Sequence, residues 1–124
     1  MPNQLDHINK ARHNEAFAAS IKETQFLDWL VNGVFYSAMH YTEAYLAINN
    51  NHPNSHPVRN EFIQEDPNLG WNFYRNMYRP LRDDSYEARY NMRIFTLDEI
   101  NRHIIPLLES VKQHLSQYIR QINI

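Results

Sequence analysis

The chain has 124 residues, a formal net charge of -2 and no cysteine. That length suffices for one domain burying roughly two-thirds of its unfolded surface. Disulfides and thiolate metal sites are excluded, and the charge balance excludes the broad basic face of a non-specific DNA binder.

The residues up to Arg12 are polar and show no secretory signal, and no apolar run reaches the ~20 residues of a membrane span, so the expected location is the cytoplasm. Charge is uneven: residues 1–70 sum to -4 and residues 71–124 to +2. Only two glycines occur and no run alternates apolar with polar residues, which argues against a sheet.

In chain order, the periodicity predicts a first helix from about Gln4 to Lys22, with Ile8, Ala11, Ala16, Phe17 and Ile21 inward. The second, Gln25 to Ile48, carries the clearest stripe: Phe26, Trp29, Leu30, Gly33, Val34, Ser37, Tyr41, Ala44, Tyr45 and Ile48. Gly33, Ser37 and Ala38 are small enough to admit a close neighbouring helix. Asn49 to Pro57 is a loop rich in asparagine and proline. A short helix follows from about Val58 to Glu65, then one from Asn68 to Arg79 that Pro80 ends or kinks, with a further turn or two up to Tyr90. Thr96 and Glu99 form a capping-box pattern opening the last helix, Leu97 to about Arg120, which Pro106 bends. The expectation is a single all-α domain over residues 1–124, a four- or five-helix up-and-down bundle.

The segment from Trp71 to Arg93 holds five arginines, no lysine and six aromatic residues. Arginine presents a planar fork of donors to phosphate or carboxylate and stacks on rings. Arg75, Arg79, Tyr78 and Tyr90, with Arg59 upstream, are therefore candidates for gripping phosphates and stacking bases. The competing expectation pairs these arginines with Asp83, Asp84 and Glu87 and turns the aromatics into core. His40, beside Tyr36 and Glu43, reads as a hydrogen-bonded, partly buried histidine. No Glu-x-x-His pair occurs and His52 and His56 share no helix face, so no metal or other cofactor is expected.

Several ordered patterns coincide. Trp29 to His40 reads WLVNGVFYSAMH and is followed by Glu43-Ala44, a Ser55-His56 pair precedes a short helix, and Tyr78-x-x-Leu81-x-x-x-Ser85-x-x-Ala88-Arg89-Tyr90 stands before the last helix. Over roughly residues 5 to 121 the chain resembles the HEPN superfamily, small helical domains named for nucleotide binding in higher eukaryotes and prokaryotes. The resemblance implies a bundle that forms homodimers. It also implies kinship with metal-independent endoribonucleases of toxin–antitoxin and defence systems, often partnered by small nucleotidyltransferases. The sequence departs from that pattern in one respect: no arginine is followed by a histidine four to six residues later, and Arg89 stands where relatives carry an acid.

Metal-free RNA cleavage needs a base, an acid and a cation to stabilise the phosphorane charge. His56, Arg89 and Arg82 are the residues expected to fill those roles if the fold brings them together. The functional expectation is binding of RNA or nucleotide phosphates, with endoribonuclease activity in view. The alternative is an inactive module for dimerisation or for holding a protein partner.

Overall fold

Asn3 sets the start of the first helix. In the computed structural model, which describes residues 2–122, Asn3 Oδ1 accepts the Asp6 N–H at 2.8 Å and Asp6 Oδ2 accepts the Asn3 N–H at 3.0 Å. This reciprocal box satisfies two amides that a helix start leaves orphaned. Helix α1 (Gln4–Ser20) buries His7, Ile8, Ala11 and Ala18 against α2 (Leu27–Ile48), the central helix. The closest approach falls at Gly33, where an added Cβ would sit 3.2 Å from Ala18 Cβ and 3.3 Å from the Asn14 carbonyl oxygen. This crossing rotates α1 so that small Ala18 faces inward. Ala16 and Phe17, expected on the inner face, are exposed.

The α2 stripe holds from Leu30 to Tyr45, but Ile48 at its far end is about half exposed, and so are Phe26 and Trp29. Phe26 and Trp29 stand at the very start of the helix and Ile48 at its last residue, where periodicity continues but covering helices do not. At the other end Asn50 adopts φ 59°, the Asn50 N–H donates to the Ala47 carbonyl, and the Asn51 N–H donates to the Leu46 carbonyl. This is a Schellman closure with asparagine in the left-handed position.

Helix α3 (His56–Glu65) is capped by Ser55, with Pro57 in its first turn. After a turn in which Asp66 Oδ1 accepts from the Asn68 and Leu69 amides, α4 runs continuously through Gly70–Phe73, a π turn Tyr74–Tyr78 and Arg79–Tyr90. Helix α5 repeats the device: Leu97–Glu99, a π turn Ile100–Ile104, then Ile105–Ser116. The helix therefore does not end at Pro80. Proline lacks an N–H and its ring crowds the carbonyl four residues back. A widened turn just before each proline, closed by the Arg79 N–H to Tyr74 carbonyl and Ile105 N–H to Ile100 carbonyl bonds, lets both helices pass their prolines uninterrupted.

The described residues therefore form five helices with no strand, an all-α bundle. Its core joins Phe35, Phe73, Tyr78, Leu81 and Ile63 to Ile100, Ile104, Leu108, Val111 and Leu115 of α5. The last helix stops at Ser116 rather than near Arg120, and the turns beyond it still bury Ile119 and Ile122. Among the described residues no helix is long and apolar enough to cross a membrane.

Candidate anion-binding cleft

Ser55 and Pro57 fix the first turn of α3, and the continuous α4 carries Arg82 and Arg89 past it. The three residues expected to act together, His56, Arg82 and Arg89, consequently line one cleft of about 310 Å³, with Asp83 and Tyr86 completing its wall.

Arg89 has an unusual environment. Its Nη1 donates to Tyr36 Oη at 2.8 Å and Ser85 Oγ at 3.1 Å, and reaches Asn32 Oδ1 at 3.5 Å. Ser85 Oγ in turn donates to Asn32 Oδ1 at 2.6 Å, and Asn32 Nδ2 donates to the Asp28 carbonyl at 3.0 Å. Every one of these partners is neutral, Nε is buried without a partner, and no carboxylate pairs with the guanidinium among the described residues. The group also lies over the rings of Tyr36 and Tyr90, at 5.5 and 5.2 Å. Dipoles and π faces hold its geometry but leave its charge uncancelled.

Arg82 is partly neutralised. Its Nη2 pairs with Asp83 at 2.9 Å and its Nη1 donates to Tyr74 Oη at 2.7 Å. Asp83 is its chain neighbour and more than half exposed, so this pair is worth little and can open.

His56 accepts at Nδ1 from Arg59 Nη1 at 3.0 Å. Because a guanidinium only donates, Nδ1 must hold the lone pair, and the proton of the neutral ring lies on Nε2. Burial, then the Arg59, Arg89 and Arg82 charges, lower the His56 pKa below its ordinary value. At rest His56 is therefore a neutral hydrogen-bond donor whose basic nitrogen is already engaged.

The remaining candidates divide. Tyr90 is exposed, its ring tilted against that of Tyr86 with 5.0 Å between centroids. Arg75 is exposed and Arg79 lies over Trp71 at 5.5 Å; neither lines the cleft. Tyr78 is not a ligand-facing residue. Its ring is fully buried, edge-on to Phe35 at 5.7 Å, because the π turn points it into the core. Arg59 is likewise no free phosphate grip: it is buried, with Nε 3.1 Å from Glu43 Oε1, and it serves His56 from behind.

Sequence reasoning missed a second wall. Arg89 also borders a groove of about 450 Å³ between α1 and α2, lined by Lys10, His13, Phe17, Trp29 and Tyr36 among others. Among the described residues, Asp83 is the only carboxylate lining either cavity. The exposure of Phe17 and Trp29 was the hidden signal, since a helical stripe reading assigns both to core.

A separate polar cluster lies behind the cleft. His7 Nδ1 and His40 Nδ1 are 3.3 Å apart, and Glu43 Oε2 is 3.6 Å from His7 Nδ1. Burial and the neighbouring positive charges push His40 down to about 4, and His7 moves in the same direction. Burial raises the Glu43 carboxyl despite the Arg59 guanidinium. His40 thus makes the hydrogen bond expected of it, but with a partner 33 residues away that no local spacing announces.

Comparison with known proteins finds no family model, curated protein or solved structure that matches this chain.

Proposed function

We propose that the protein binds single-stranded RNA or a nucleotide through the cleft at Arg89, as a divergent HEPN-like domain. The observation that carries this reading is a fixed guanidinium held by neutral partners, flanked by Arg82 and by His56 as a hydrogen-bond donor. Such an arrangement offers positive charge and directed N–H groups without the cost of displacing a buried carboxylate. The adjoining groove adds Lys10 for a backbone phosphate and Trp29 and Phe17 as stacking faces, the pairing single strands favour.

Binding is favoured over cleavage by the His56 tautomer. A base for the 2′-hydroxyl needs a free lone pair, and Arg59 occupies the Nδ1 pair while Nε2 holds the proton. Endoribonuclease activity would require that bond to break first. Homodimerisation, implied by the resemblance, draws support from Tyr86, Tyr90, Met92 and Ile94, all exposed on one stretch beside Arg89.

The test is fluorescence anisotropy with a labelled single-stranded RNA in EDTA across a salt series, with gel analysis of the same RNA for cleavage. Affinity should weaken steeply with added salt, and the RNA should stay intact. No binding at low ionic strength to RNA or to a nucleotide would remove the proposal, and cleavage by wild type but not His56→Ala would replace it with the catalytic version.

A further inference from the structure

The buried cluster behind the cleft has the geometry of a metal site. His7 comes from α1 and His40 and Glu43 from adjacent turns of α2, so the close α1–α2 crossing brings three ligand types together. Their ligand atoms all lie within 4.8 Å of one another. Two ligands bound about 2.05 Å from a tetrahedral ion stand about 3.3 Å apart. The His7 Nδ1–His40 Nδ1 separation is 3.3 Å and the His7 Nδ1–Glu43 Oε2 separation is 3.6 Å. Little rearrangement is needed for all three to reach one ion.

The alternative occupant of this space is a single proton. Shared between the two Nδ1 atoms, it satisfies the imidazoles but leaves Glu43 Oε2 with no hydrogen bond among the described residues. Glu43 is also held from the far side by Arg59 at Oε1, which orients Oε2 toward the histidines as outer partners of ligating carboxylates do. His40 is only part-buried, which leaves an approach for the ion.

We propose that His7, His40 and Glu43 bind one divalent transition-metal ion, with Zn2+ the best match to two imidazoles and a carboxylate, the fourth position being left to water. The site would clamp α1 to α2. It uses none of the residues lining the cleft, and so stands or falls apart from nucleic-acid binding.

The experiment is an equilibrium titration of the EDTA-stripped, desalted chain with Zn2+ against a chromophoric chelator. The same titration is run on His7→Ala, His40→Ala and, as a control, exposed His103→Ala. One ion should bind per chain, affinity should fall roughly 10-fold or more in either ligand variant and stay unchanged in the control, and Zn2+ should raise the wild-type melting temperature. Should a ligand variant fail to fold by circular dichroism, histidine 15N spectra of wild type decide, with Zn2+ shifting Nδ1 of two rings. Binding that survives both ligand substitutions, the absence of saturable binding, or unmoved Nδ1 resonances would overturn the site.

Discussion

Arg89 and Arg93 lie one helical turn apart in sequence, yet they meet opposite surroundings. Arg93 donates to Asp84 at 2.8 Å, Glu87 at 2.7 Å and Glu99 at 2.5 Å, and covers the Phe95 ring at 4.3 Å. Arg89 meets only hydroxyls, an amide and two aromatic faces. The first guanidinium has its charge spent inside the protomer, tying the end of α4 to the start of α5. The second is equally well positioned but retains its charge. The contrast shows that an arginine count says little about anion binding; the identity of each acceptor decides it.

Breaking the saturated side should produce the larger loss of stability. Arg93→Ala leaves three carboxylates facing one another, and denaturant unfolding should show about 2 kcal/mol of destabilisation, kept below the value of a fully buried network by partial exposure of the groups. A second substitution, Asp84→Asn, should recover part of that loss. Arg89→Ala should cost less, about 1 kcal/mol, because its partners are neutral and the buried Ser85 hydroxyl keeps its bond to Asn32 Oδ1. Equal losses in the two variants would erase the distinction.

Proton uptake offers a second way to sharpen the comparison. The His56 pKa is lowered from 6.5, so the folded ring remains neutral when an unfolded one would be charged. The unfolded chain takes the proton first, and this group's contribution to stability is present above pH 6.5 and declines as pH falls through the lowered folded value. An anion in the cleft opposes that shift. Affinity for an RNA oligonucleotide, whose diester charge is constant here, should therefore rise a few-fold between pH 7.5 and about 5.5, and His56→Gln should flatten the trend. A smaller effect is expected from Ser85→Ala, which removes one of the acceptors steadying Arg89. Binding should weaken by about 1 kcal/mol or less while the fold is retained.

The sequence reveals the helices more clearly than the sites. Periodicity locates α2 and α5 because their buried residues repeat every three or four positions, and the caps at Ser55 and Thr96 are visible as residue types. It does not reveal that the helix continues past Pro80, since a π turn absorbs proline without any compositional mark. It also fails at Trp29 and Phe17, since a helix keeps its stripe beyond the point where neighbours cover it. The chemistry of His56, Arg82 and Arg89 marks them in the sequence, and all three line one cleft. The partners of each arginine were out of reach. Asp84 and Glu87 were visible as counter-charges, but only the three-dimensional path of residues 91–96 directs them and Glu99 to Arg93 and away from Arg89. His7 could not be linked to His40 by any local pattern, because their contact depends on the α1–α2 crossing angle.

The most direct test of the contrast is RNA binding by Arg89→Ala and Arg93→Ala side by side, at fixed low salt and with folding of each verified by circular dichroism. The uncancelled charge of Arg89 predicts at least a roughly 10-fold loss of affinity in Arg89→Ala, with Arg93→Ala within about 2-fold of wild type. Equal affinities in the two variants, or a greater loss in Arg93→Ala, would contradict it.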